Sequence, residues 1–231
     1  SGHAAMPPQH TAVGCLAEAI CRIEAAPMRK RLLPVTRRLL VLSAPAMGFW
    51  QRVCAANLPA SKKLLFRRTR RNLPLSALFH TTFAITKIQG GSAANVLPET
   101  AQATVDARIL QGDTGEKVLD YLKALTADLP VTVEMLSCQQ PSPLSPYRGD
   151  VYQMIVSTVE ETYGRVSCIP TLLPAGTDSK YYQEFSENVV RFTPMPADQP
   201  SSAAVHGADE RLSCQSLAAG VDFYESLLRR L

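Results

Sequence analysis

Ala101-Gln102-Ala103-Thr104-Val105-Asp106-Ala107-Arg108-Ile109 alternates small or aliphatic residues with polar ones at a period of two. That is the pattern of a half-buried β-strand, with Ala101, Ala103, Val105, Ala107 and Ile109 facing a core and Arg108 on the other face. A strand with one apolar face needs a covering layer, and its neighbours supply one. Thr82 to Ile88, rich in β-branched and aromatic residues, predicts a second strand that ends near Gly90-Gly91. Gly112-Asp113-Thr114 turns into a helix with Val118, Tyr121, Leu122 and Leu125 on one face, and Val131 to Leu136 predicts a short strand. Upstream, Thr11 caps a helix whose apolar positions are Val13, Leu16, Ala17, Ile20 and Ile23, stopping before Pro27. The order is helix, strand, strand, helix, strand. One further strand ahead of residue 1 completes a split β-α-β-β-α-β unit of ferredoxin-like type, and its absence would leave an open sheet edge.

Gln139 to Pro146 holds three prolines and reads as an extended linker. Beyond it the sequence predicts a helix from Val151 to Tyr163 closed by Gly164, a strand around Ile169 to Leu173, and a strand from Val189 to Thr193. A terminal helix then starts near Ser213 and buries Leu217, Val221, Tyr224 and Leu228. Alternating α and β elements with apolar strands suggest part of an α/β domain whose sheet is completed elsewhere. Residues 27 to 79 fit neither unit, because Pro27, Pro34, Pro45, Pro59 and Pro74 cut them into short helices.

The net charge of +4 conceals an asymmetry. Residues 22 to 71 hold thirteen Lys or Arg against the single acid Glu24, whereas the remaining residues carry eleven bases and nineteen acids. The segment is therefore +12 and the body −8. Lys62-Lys63-Leu64-Leu65-Phe66-Arg67-Arg68-Thr69-Arg70-Arg71, near Phe49-Trp50, has three readings. It is a solvated insertion that pairs with the acidic body, a basic helix on an anionic membrane surface, or an attractor of nucleic acid. The last ranks lowest, since no recognition motif is present and aromatic residues are few.

The six cysteines, Cys15, Cys21, Cys54, Cys138, Cys168 and Cys214, show neither zinc-site spacing nor disulfide density, and read as free, mostly buried thiols in a reducing compartment. No apolar run approaches a membrane span and no signal pattern opens the chain, which favours the cytoplasm unless a leader precedes residue 1.

Four short motifs carry the chemistry: Gly2-His3-Ala4-Ala5-Met6-Pro7-Pro8, Asn95-Val96-Leu97-Pro98, Gly176-Thr177-Asp178-Ser179-Lys180-Tyr181 and Val205-His206-Gly207-Ala208-Asp209-Glu210-Arg211. Their order resembles the zinc amidohydrolase family of aminoacylase, succinyl-diaminopimelate desuccinylase and carboxypeptidase S, on the branch of carboxypeptidase S and the N-fatty-acyl-amino acid synthase/hydrolases. The similarity is strong in residues 1 to 26, 80 to 113 and 171 to 231, and weak between 27 and 79. It implies a lid, or dimerisation, domain over residues 1–137 with the basic helical insertion at about 27–79, and the C-terminal part of an α/β catalytic domain over 138–231. A homodimer through the lid and a substrate that is an N-acyl amino acid or small peptide with a free carboxylate follow from the same resemblance.

The family also has a His-x-Asp motif, a bridging Asp and a Glu-Glu pair upstream of the Gly-His-Ala segment, where this chain has only Ser1. Glu160-Glu161 lies downstream and reads as solvated helix surface. The expectation is therefore a C-terminal part of a larger enzyme, inactive by itself, with at most one ligand for the family's two zinc ions.

That ligand is His206, for which Asp209 or Glu210 is the candidate second-nitrogen partner. His3 matches the family His that crosses the dimer interface to stabilise the oxyanion, and a preorganised donor of this kind supplies roughly 3–4 kcal/mol. Asn95 matches an Asn that donates to the substrate carbonyl, against the alternative of a turn Asn satisfying its own backbone. Arg108 either forks onto the substrate carboxylate or pairs with Asp106 or another acid. Thr177, Asp178 and Ser179 match the substrate loop, compatibly with a helix cap at Thr177 or Asp178.

Overall fold

The computed structural model describes residues 2–69, 72–173, 176–196, 207 and 209–231. The chain forms two compact units, Ser1–Ser142 and Pro143–Leu231.

In the first unit, β1 (Gly2–His3) leads to α1 (Ala12–Ala25), whose first turn is closed by Thr11 Oγ1 accepting from Gly14 N at 3.0 Å. The buried face of α1 is Cys15, Ala19 and Ile23, whereas Val13 and Ala17 of the expected stripe are exposed. The helix is turned so that the Cys15–Ala19–Ile23 face meets the layer beneath. Four helices follow: α2 (Pro34–Ser43), α3 (Phe49–Ala56), α4 (Leu58–Arg68) and α5 (Leu73–Ala77). Pro34, Pro59 and Pro74 each sit in the first two positions of a helix, where a missing N–H costs nothing. They start helices here instead of breaking them.

β2 (Thr82–Gly90) pairs antiparallel with β4 (Ala101–Arg108), from Thr82 opposite Arg108 to Gly90 opposite Ala101, with a register shift between Ile85 and Lys87. The short β3 (Val96–Leu97) pairs with β1. α6 (Gly115–Leu125), capped by Thr114, buries Val118 and Leu122 as its periodicity demands. With Ile23 of α1 they form a core joined by Phe83, Val105, Ala107 and Ile109. The architecture is mixed α/β, with two helices on a β2–β4 ladder. The strand expected over residues 131–136 is not formed. A strand exists only through pairing; here Val133 packs into the core by its side chain while Leu136 is exposed.

The insertion has its own core of Leu40, Leu58 and Phe79, joined by Leu32, Met47, Leu65, Phe66, Leu75 and Leu78. A polar clamp ties it to the β2–β4 layer. Arg31 pairs with Asp113 at 2.9 Å and donates to the carbonyls of Gln111 (3.1 Å) and Gly112 (3.2 Å). Thr81 Oγ1 donates to the same Asp113 carboxylate at 2.8 Å and accepts from Leu110 N. Of the expected pairing between basic segment and acidic body, this ion pair and that of Arg22 with Glu18 and Asp128 are the instances among the described residues.

In the second unit, α7 (Asp150–Tyr163) ends at Gly164, whose φ of +75° suits glycine. α8 (Ser179–Tyr182) is one short turn, and α9 (Cys214–Leu228) is capped by Ser213 Oγ accepting from Ser216 N at 3.0 Å. α7 and α9 pack together, and Phe223 is fully enclosed beside Phe192, ring centroids 5.2 Å apart. A Cβ on Gly220 would lie 3.0 Å from Met195 Cγ and 3.4 Å from the Pro194 carbonyl, so any larger residue would have to displace the Met195 side chain by a few tenths of an ångström. Two expectations fail here. Residues 169–173 and 189–193 are not strands, and Leu217, Val221, Tyr224 and Leu228 are exposed rather than buried. α9 uses its Gly220–Phe223 face in the packing with α7, and no described element covers the neighbouring stripe.

The cysteines are free, but only Cys15 is buried; Cys21, Cys138 and Cys214 are exposed. This corrects the expectation of mostly buried thiols, and Cys21 illustrates the cause by lying on the solvent side of α1. Among the described residues no helix is long and apolar enough to cross a membrane.

Candidate functional site

The β1–β3 ladder brings together two residues that stand ninety-two positions apart in the chain. His3 lies opposite Val96, and Ala4 N donates to the Asn95 carbonyl at 3.1 Å. Ala5 N donates to His3 Nδ1 at 3.2 Å, which leaves the proton of the neutral imidazole on Nε2. Both side chains are exposed on this accessible edge, His3 in register with Val96 and Asn95 in the turn just before it.

The turn that carries Asn95 grows from Gly91, whose φ of +56° lets the chain leave β2. Beside it is an open pocket of about 420 Å³ lined by Gln89, Gly90, Gly91, Ser92, Val96, Pro98, Glu99, Thr100, Ala101 and Gln102. Sequence reasoning singled out none of its polar residues. The signal available was the glycine pair between two strands, which marks a close approach but names no ligand.

Arg108 lies at the far end of β4, opposite Thr82, and pairs with Asp106 at 2.8 Å. Of its two readings the carboxylate partner within the chain is the contact observed, and no described contact joins it to His3 or Asn95. Both members are more than two-fifths exposed, so the pair is weak and exchangeable.

Thr177, Asp178 and Ser179 are in the second unit. The Thr177 and Ser179 hydroxyls are hydrogen-bonded to each other, and Ser179 N donates to Thr177 Oγ1 at 3.3 Å. Asp178 opens α8 without a side-chain cap. Thr177 and Asp178 are exposed, and Ser179 is half-buried.

His206 lies outside the described residues. Asp209, one of its two candidate partners, accepts a fork from Arg211 at 2.6 and 2.8 Å. Glu161 of the Glu-Glu pair accepts from Arg230 (2.6 Å) and Ser226 (2.7 Å), which hold its carboxyl below the usual range. It fastens α7 to α9. Among the described residues no three His, Cys, Asp or Glu side chains converge to hold a metal. With His3 Nδ1, Asp209 and Glu161 committed to other donors, these residues do not fit a zinc pair.

The fold and this edge define a class, and comparison with known proteins identifies it. Residues 1–133 match the peptidase dimerisation domain of M20 peptidases, and the chain belongs to that family. It is similar to "Probable carboxypeptidase S-like 2" of Dictyostelium discoideum, 31% identical over 229 residues that make up 99% of this chain and 44% of the relative. It is also similar to N-fatty-acyl-amino acid synthase/hydrolase PM20D1 of Mus musculus, 31% identical over 229 residues, 96% of this chain and 45% of the relative. The chain thus spans less than half the length of these curated relatives. The crystal structure of an M20 family metallo-carboxypeptidase, Sso-CP2 from Sulfolobus solfataricus, superposes with a TM-score of 0.66 at 14% identity, covering 98% of this chain and 54% of that one. That likeness speaks to the fold.

Proposed function

We propose that this chain provides the lid (residues 1–137, with the insertion at 27–79) and the C-terminal catalytic segment (138–231) of a metal-dependent amide hydrolase. Its substrates are N-acyl amino acids or small peptides with a free C-terminal carboxylate, and it works as a homodimer through the lid. The observation that carries the reading is the β1–β3 ladder, which sets His3 opposite Val96 and bonds Ala4 N to the carbonyl of Asn95 in the turn just before it, with the imidazole proton left on Nε2. Two uncharged donors on one rigid edge suit an oxygen that gains negative charge as a carbonyl is attacked.

In this proposal His206 would be the ligand from this chain, and zinc held mainly by residues outside it would supply Lewis-acid activation of water. The chain's own groups do the positioning. His3 Nε2 and the Asn95 amide donate to the carbonyl oxygen. Arg108 exchanges Asp106 for the substrate carboxylate, a bidentate partner of the same chemistry. The Thr177 and Ser179 hydroxyls offer further donors to it. The α9 stripe of Leu217, Val221, Tyr224 and Leu228 packs on the rest of the catalytic domain.

Replacing His3 by Ala in the full-length enzyme is expected to lower kcat for release of the amino acid about 10²- to 10³-fold with little change in KM. A variant with unchanged kcat removes His3 from the mechanism. Full-length wild-type protein that binds no zinc and releases no amino acid would leave a non-catalytic dimerisation module of the same fold.

A further inference from the structure

Between Pro27 and Phe79 the chain has twelve Lys or Arg and no acidic residue. The structure separates those cations into two kinds. Some turn inward: Lys30 donates to Thr69 Oγ1 at 2.9 Å, Arg31 is locked on Asp113, and Arg52 folds back onto the carbonyls of Met47 and Pro45, both at 2.8 Å. Arg37, Lys62, Lys63, Arg67 and Arg68 are exposed and take part in no salt bridge among the described residues.

α3 adds what a merely solvated basic insertion would lack. It buries Ala55 toward the insertion and turns the opposite face outward, where Val53 lies between Phe49 and Trp50 around the helix. Phe49 is 70% exposed, Trp50 74% and Val53 40%, and the two rings meet edge to face with centroids 5.3 Å apart. Val41, Leu42 and Leu64 on the flanking helices are exposed as well. An apolar helix face that holds the only tryptophan, set among cations without acids, matches the boundary between lipid headgroups and acyl chains.

We propose that the insertion docks on an anionic lipid surface, with Phe49, Trp50 and Val53 entering the interface and Arg37, Lys62, Lys63, Arg67 and Arg68 facing the headgroup phosphates and carboxylates. Charge selects this occupant: a cationic, acid-free surface complements an anionic leaflet. Valine beside the rings favours lipid over nucleic acid, since it has no ring on which a base can stack.

The test uses the full chain and vesicles of phosphatidylcholine with and without phosphatidylserine. The expected result is sedimentation with the anionic vesicles only, weakening steeply as salt rises, and a blue shift of Trp50 emission on binding. The exposed triple substitution Lys62→Gln, Lys63→Gln, Arg67→Gln is expected to weaken vesicle binding ~100-fold. Phe49→Ser with Val53→Ser, which keeps every charge, is expected to abolish the blue shift while some salt-sensitive binding persists. Trp50 emission unmoved by anionic vesicles overturns the proposal. So does binding that the triple substitution leaves intact, or duplex DNA bound in preference to the vesicles.

Discussion

α6 and α9 both read as amphipathic helices with four apolar residues on one face, yet only α6 buries the stripe so identified. Val118 and Leu122 of α6 are enclosed against the β2–β4 layer, with Tyr121 and Leu125 half-buried beside them. In α9, Leu217, Val221, Tyr224 and Leu228 remain 54%, 59%, 47% and 67% exposed, while Gly220 and Phe223 are enclosed. Periodicity identifies a face that water disfavours, but a second layer must be present to cover it. For α6 most of that layer, from Phe83 to Ile109, lies within about forty residues along the chain. The face of α9 that found a partner is the one holding the glycine, because there α7 and the chain at Pro194–Met195 come close.

Truncation of side chains is the most direct way to break this comparison. Phe223→Ala is expected to cost about 3–5 kcal/mol and Leu122→Ala about 2–5, against no more than about 0.5 for Leu217→Ala or Leu228→Ala, by urea unfolding of the same chain. A cost for Leu228→Ala equal to that for Phe223→Ala would mean the stripe is covered in solution. In a longer protein that supplies a covering layer, Leu217→Ala is expected to approach the cost of Leu122→Ala.

A smaller effect tests how the insertion is held. Asp113 is 11% exposed and collects Arg31 and Thr81, so Asp113→Ala removes the charged partner of a guanidinium, which keeps its bonds to the Gln111 and Gly112 carbonyls, and the acceptor of a hydroxyl at once. The expected cost is about 2 kcal/mol, with proteolysis of residues 27–79 rising before that of the β2–β4 layer. Equal proteolysis of both would mean the insertion and the ladder unfold together.

The smallest effect is a pH dependence at the junction of the two cores. Burial lowers the pKa of His80, a contact with its own backbone opposes that in part, and nearby Lys30 lowers it further. An unfolded histidine titrates near 6.5. As pH falls through that value the unfolded chain takes a proton that the folded chain refuses. Stability therefore drops until pH reaches the depressed folded value and then levels. His80→Gln is expected to flatten this limb as pH falls through about 6.5, read from urea midpoints. A limb that survives the substitution belongs to another group.

The candidate site was legible as residues but not as an arrangement. His3, Asn95 and Thr177 to Ser179 come from motifs and Arg108 from the polar face of its strand, whereas the ladder joining His3 to the Asn95 turn is a long-range pairing that no local pattern encodes. For Arg108 the sequence left substrate carboxylate and Asp106 open; spacing of two along a strand puts both side chains on one face, and the ion pair is seen. The strands expected at 131–136, 169–173 and 189–193 failed for the same reason that β1 and β3 succeeded. Strand bonds are made with another segment, so an apolar run states a capacity and the partner decides whether it is used.

The sequence by itself determined what depends on neighbours a few residues away. Thr11, Thr114 and Ser213 start their helices, Gly164 ends α7, prolines open α2, α4 and α5, and the alternation of 101 to 109 makes β4. Caps, turns and the two periodicities are set by hydrogen bonds and dihedral preferences that span less than one turn of helix or one strand. Only the tertiary structure decided which face of α1 and α9 is buried, that the basic insertion has its own core, and that β1 with His3 pairs with β3 after the Asn95 turn. Each of those depends on contacts between segments distant in the chain, where burial of apolar area and pairing of backbone groups outweigh local preference.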